Sequence, residues 1–181
     1  IRHDDSPLSW ILNILIALVL VKFIIYPGLG LILGTTHPLV AVVSGSMEHN
    51  GLDFDTWWET NGGWYEDHGI TKEQFGQFNS KHGFNKGDIM ILNKVNSPEI
   101  GDILVYKKSG ENSPPIIHRV VAVNGDSIQT KGDNVDRVQE FEKNIEKRFV
   151  IGKAIIRIPF LGYIKIWFIE LIYSPIIGIF K

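Results

Sequence analysis

A serine that attacks a carbonyl needs a base beside it and a third group to orient that base. Three stretches of this 181-residue chain supply those residue types. Ser44-Gly45-Ser46-Met47-Glu48 sets small polar groups around a glycine, directly after the apolar Ala41-Val42-Val43. His118 lies inside the apolar run Ile116-Ile117-His118-Arg119-Val120-Val121. Thr130-Lys131-Gly132-Asp133-Asn134-Val135-Asp136-Arg137 puts two carboxylates in a turn after a strand-like segment. Singly, each is bland: Ser-Gly-Ser is a common turn, a lone strand histidine is usually a core or edge residue, and an acidic turn is a solvated loop or an Asx-turn. Other chemistries find no support. The chain has no cysteine, so a thiol nucleophile, a disulfide framework and a thiolate metal site are excluded. His3, His37, His49, His68 and His82 show no ligand spacing, so neither metal nor cofactor is expected. A net charge of -2 argues against a nucleic-acid partner.

The elements that must position these groups are uneven along the chain, with apolar ends and a charged middle. Residues 8–33 hold one charged residue, Lys22. As a helix they would reach about 39 Å, more than a hydrocarbon core of about 30 Å. A cleaved signal peptide has an apolar region of only about 7–15 residues and a small-x-small site, and neither fits. A retained transmembrane anchor over residues 8–34 is predicted, its straight part, residues 10–26, ending in a kink or looser turn at Pro27, Gly28 and Gly30. Arg2 is offset by Asp4 and Asp5, so flanking charge does not set its orientation. The sequence opens at Ile1, and residues 1–7 read as the remainder of a longer N-terminal tail. Residues 160–181 are apolar too, but Pro159 and Pro175 leave a straight helix of about 22 Å at most. A membrane-lying segment and a kinked second span both fit.

Between the ends lie 31 of the 38 charged residues. Residues 88–95, 102–106, 116–123, 127–130 and 149–158 are rich in Ile and Val and are bounded by Gly-Asp, Asn-Ser-Pro, Ser-Gly and Asn-Gly-Asp clusters. Short strands at that spacing predict a mostly β domain, a sandwich or barrel-like fold, over residues 35–159. Residues 50–85 break the pattern with Trp57, Trp58 and Trp64, six acids and two lysines. They read as an insertion, either a self-packed lid or a binding surface, with a short helix starting at Thr71 as N-cap.

In this order, after an N-terminal anchor, the three stretches resemble type I signal peptidases. Ser44-Gly45-Ser46-Met47 is similar to that family's nucleophile box. Gly87-Asp88-Ile89-Met90 and Gly101-Asp102-Ile103-Leu104-Val105 are similar to its Gly-Asp strand openings. Residues 117–126 resemble the general-base box, and Gly132-Asp133-Asn134 with Asp136-Arg137 the last box. The resemblance runs from the anchor to about Gly162, apart from the insertion. Histidine at 118 resembles the archaeal enzymes and the catalytic subunit of the eukaryotic microsomal enzyme, where bacterial members usually carry lysine. His49 is a departure, standing where those proteins commonly have proline.

The resemblance implies a signal-peptidase-like β fold and a membrane-bound serine endopeptidase. Ser46 would be the nucleophile and His118 the general base; Asp136, or in second place Asp133, would hold the imidazole. The Ser46 N–H and the Ser44 hydroxyl would face the oxyanion. It implies preprotein signal peptides with small residues before the cut as substrates, the lipid bilayer as medium and the secretion translocon as a candidate partner. The catalytic domain would stand on the extracytoplasmic side of the cell membrane. Self-cleaving repressor-type peptidases are also similar, but they use lysine, lack an anchor and carry a DNA-binding domain. The rival class is a non-catalytic membrane-tethered β module that binds a partner through the Trp-rich insertion.

Overall fold

In a computed structural model, residues 6–108 and 114–163 are described. Ser6 caps the first helix, its side chain accepting from the Ser9 N–H, and Pro7 sits in the first turn where its missing N–H costs nothing. Helix α1 (Pro7–Leu20), a π-helical turn (Val21–Ile25) and helix α2 (Tyr26–Leu33) form one continuous 27-residue helix, none of it buried by the rest of the protein. It is long and apolar enough to cross a membrane. The kink or looser turn expected at Pro27, Gly28 and Gly30 is displaced: the helix loosens just upstream, in the π turn, and does not stop at Pro27. The π turn just upstream, closed by the Tyr26 N–H on the Val21 carbonyl, absorbs the residue that cannot donate, and the helix runs on to Leu33. Gly34 then takes a left-handed conformation (φ 63°) and ends it.

Among the described residues seven strands form: β1 (Leu39–Ala41), β2 (Ile89–Asn93), β3 (Ile103–Tyr106), β4 (Ile116–Asn124), β5 (Ser127–Lys131), β6 (Ile145–Glu146) and β7 (Val150–Ile158). They form one antiparallel sheet in the order β1-β2-β7-β3-β4-β5-β6. All five Ile/Val runs are strands, and the protein is mostly β. Strand β3 is buried on both faces, which explains its unbroken apolar run. Ile103 and Val105 pack with Val42, Met47, Phe84 and Met90, whereas Leu104 and Tyr106 pack with Val120, Ile128 and Ile145. The two Gly-Asp openings share one construction. Gly87 and Gly101 take positive φ (89° and 95°), and each following aspartate accepts a backbone N–H three residues back. Asp88 and Asp102 then pair with Arg157 and Lys153 of β7, so both turns are pinned to the same strand.

The insertion is more helical than the short helix at Thr71 suggests. Helix α4 (Lys72–Phe75) is there, with Thr71 accepting from the Gln74 N–H. Before it stands helix α3 (Phe54–Asp67), capped by Asp53. Gly62 and Gly63 hide α3 from propensity reasoning. At Gly62 a Cβ would come within 2.4 Å of the Trp58 ring, so the glycine is there for packing. Trp57, Trp58, Tyr65, Ile70 and Phe75 form an aromatic core that reaches the sheet at Val121. Of the apolar 160–181 segment, residues 164–181 lie outside the described residues.

Candidate active site

After β1 the chain turns through residues 44–49, and the turn is held from below. Met47 is fully buried in the sheet core, and its carbonyl accepts from the Phe84 N–H. From the other side the 132–135 turn clamps it: the Asn134 N–H donates to the Ser46 carbonyl (2.8 Å) and its Nδ2 to the Gly45 carbonyl (3.0 Å). Gly132 has no room for a side chain, since a Cβ would lie 2.8 Å from the Ser46 carbonyl and 3.1 Å from His118 Nε2. The loop pair and the imidazole therefore fit together only with glycine at 132.

Ser46 Oγ lies 2.9 Å from Nε2 of His118, and Ser44 Oγ lies 3.2 Å from Ser46 Oγ. His118 stands in β4 opposite Leu104 and is 7% exposed. Its Nδ1 meets the Glu142 carboxylate at 2.5 Å. Glu142 is fully buried in the 3-10 turn Glu140–Glu142. Its Oε2 accepts from the Gln139 N–H (2.8 Å) and its Oε1 from the Thr130 hydroxyl (3.2 Å), which itself touches the Tyr106 hydroxyl (2.8 Å). Both carboxylate oxygens are thus occupied and the group is fixed in place. With an acceptor at Nδ1, the imidazole proton sits there and the Nε2 lone pair faces Ser46.

Sequence reasoning missed Glu142 and expected Asp136 or Asp133 at the imidazole. Asp136 is exposed, in a loop where its charge acts on Lys131. Asp133 is buried and faces elsewhere. It accepts from Arg119 Nε (2.9 Å) and Nη2 (2.7 Å), from the Tyr65 hydroxyl (2.8 Å) and, at Oδ2, meets His49 Nε2 (3.2 Å). Burial pushes its carboxyl up, but the charge of Arg119 and the hydrogen bonds from His49 and Arg119 prevail and hold it well below the usual range. Arg119 is itself fully buried and also donates to the carbonyls of Asn79, Ser80 and Gly101. His49, in the place of the expected proline, stacks on Trp57 with ring centroids 3.8 Å apart. Together these contacts bolt the aromatic insertion to the turn behind Ser46. Lys131 sits over the Tyr65 ring and donates to the Gly132 carbonyl, and burial brings its ammonium down to about 8.

Asp133→Asn is expected to cost about 3–5 kcal/mol, because it leaves the Arg119 charge buried without its counter-ion. In a chain of this size that is roughly a 10 °C fall in thermal midpoint. The carboxyl is depressed on folding, so its contribution is present above the ordinary aspartate range and fades as pH falls below it. Thermal midpoints of wild type and variant at pH 7 and pH 3 measure this, with the gap narrowing at the lower pH.

Ser44, Ser46 and His118 open onto a cleft of about 280 Å³ otherwise lined by apolar side chains, among them Val40, Ala41, Val43, Ile117 and Phe141. The cleft runs beside β1, an outer strand of the sheet. A half-buried serine in line with a buried imidazole and a buried carboxylate, beside an apolar cleft, is the arrangement of a serine hydrolase.

Comparison with known proteins agrees. Residues 72–149 match the family model described as signal peptidase, peptidase S26. The signal peptidase complex catalytic subunit SEC11 of Scheffersomyces stipitis is 30% identical over 162 residues, covering 83% of this chain and 77% of that protein. The chain belongs to the signal peptidase family. The SEC11 subunit of Pyricularia oryzae is 29% identical over 160 residues, 82% of this chain and 73% of its own. As a signal peptidase the protein is a hydrolase, and the binding-module alternative falls away. Within this signal peptidase, the Trp-rich insertion is a packed lobe tied to the serine turn.

Proposed function

We propose that the chain is a membrane-anchored serine endopeptidase that removes N-terminal signal peptides from secreted preproteins, with Ser46 as nucleophile, His118 as base and Glu142 as the group that orients the base. The observation that carries this reading is the line Ser46 Oγ, His118 and Glu142 at 2.9 Å and 2.5 Å. Ser46 Oγ bonds to the scissile carbonyl carbon while its proton passes to Nε2. His118 returns that proton to the leaving amine as the C–N bond breaks, and water then releases the acyl group by the same route. Glu142 keeps Nδ1 protonated and stabilises the imidazolium. The Ser46 N–H and the Ser44 hydroxyl are the candidate oxyanion donors, each such donor being worth about 2.7–4 kcal/mol in the transition state.

The small apolar cleft beside an outer strand suits an extended peptide with small residues before the cut, added along β1. The Pro7–Leu33 helix supports a bilayer anchor, with the β domain on the extracytoplasmic side of the cell membrane, where substrates arrive from the secretion translocon. The relatives are named as subunits of a complex, and further subunits are candidate partners. Incubating the detergent-solubilised protein with a preprotein and sequencing the new N-terminus tests the reading. One cut after a small residue at the end of the signal peptide is expected; scattered cuts or none would contradict it.

A further inference from the structure

The anchor helix delivers the chain into a second concavity, of about 440 Å³, that begins at Gly34. His37, Lys94, Lys107 and Arg148 line it, and among the described residues its lining holds no carboxylate. Glu146 pairs with Arg148 at 2.9 Å from outside the lining, with both side chains exposed; Lys94 and Lys107 have no ion-pair partner among the described residues. The walls are fixed to the end of the helix. The Lys94 N–H donates to the Leu33 carbonyl (2.9 Å), the Lys107 N–H to the Phe149 carbonyl (3.0 Å) and the Thr35 hydroxyl to the Ile151 carbonyl (3.1 Å). The Lys94 stem packs against Gly34, 3.2 Å from where a Cβ would be.

Twenty-seven helical residues reach about 40 Å against a hydrocarbon core of about 30 Å, so the ends of a spanning helix lie among the headgroups. On a spanning helix, a cationic pocket starting one residue past Leu33 would open at the level of the lipid phosphates.

We propose that this pocket binds the phosphate of an anionic lipid headgroup through Lys94, Lys107 and Arg148, and so seats the β domain on the membrane. The inference rests on the anchor reading of Pro7–Leu33 and is independent of the chemistry at Ser46.

The test uses the full chain in an uncharged detergent, with phosphatidylglycerol and phosphatidylcholine supplied in equal amounts and retained lipid read by native mass spectrometry. Phosphatidylglycerol is expected to be retained about tenfold over phosphatidylcholine, and Lys94→Gln with Lys107→Gln to abolish that preference. Lys143→Gln with Lys147→Gln, outside the pocket, is expected to keep it. Cleavage of a soluble peptide should be unchanged in both double variants. Equal retention of the two lipids, or a preference that survives Lys94→Gln with Lys107→Gln, overturns the proposal. Inorganic phosphate displacing phosphatidylglycerol at equal concentration overturns it too, by assigning the site to a free anion. Flotation of wild type with phosphatidylcholine vesicles checks the anchor separately; its failure would remove the anchor reading whatever the lipid result.

Discussion

Ser46→Ala and His118→Ala are each expected to lower kcat/KM for preprotein cleavage by about 10⁴–10⁶-fold, and the double variant to be little worse than either alone. The reason is geometric. Ser46 Oγ and His118 Nε2 share one hydrogen bond, and neither does its part without the other. Ser46 is half-buried at the cleft, so alanine there removes only an oxygen and the thermal midpoint should hold. Ser44→Ala, which takes away a neighbouring hydroxyl but not the nucleophile, should cost about 10²–10³-fold at most. Kinetics of the four variants beside their thermal midpoints measure this. Losses that multiply in the double variant would mean that the two residues do not act as a unit.

Glu142→Gln should cost about 10³–10⁴-fold in kcat with little change in KM, because an amide at Nδ1 favours the wrong imidazole tautomer and cannot stabilise its positive charge. The amide would still offer an oxygen to the Thr130 hydroxyl or the Gln139 N–H, so the fold should survive. Asp136→Asn, at an exposed loop carboxylate, should stay within about twofold of wild type, as surface changes away from such networks usually do. A nearly fully active Glu142→Gln beside a folded, dead Asp136→Asn would return the orienting role to the aspartate.

Much of the fold was legible because its signals are local. Ile/Val runs between Gly-Asp and Asn-Gly-Asp turns read as strands, and the Asn124–Ser127 hairpin turns at Gly125 with positive φ as such a turn requires. His118 is bland as a lone strand histidine and could be singled out only because its segment, in order with Ser44–Met47 and residues 132–137, resembles the signal peptidase boxes. Glu142 carries no such mark: it lies in an irregular turn, and only the β4–β5–β6 arrangement brings it across 24 residues to the imidazole. The acidic turn misled for the converse reason. Asp133 is next to the site in space, but its partner Arg119 points to the opposite side of β4 from His118, as neighbours in a strand must. Helix α3 stayed hidden behind two glycines, one of which, Gly62, makes room for the Trp58 ring, and the departure at His49 acquires its meaning only once Trp57 is stacked on it.

The central claim is that Ser46 carries the acyl group. Mixing the enzyme with an activated ester of a peptide ending in alanine, quenching in acid and mapping the mass increase by peptide sequencing tests it directly. An acyl adduct on Ser46 in the wild type, absent from Ser46→Ala and barely formed in His118→Ala, is the predicted result. An adduct on Ser44, or cleavage that proceeds with Ser46 never modified and undiminished in Ser46→Ala, would contradict it.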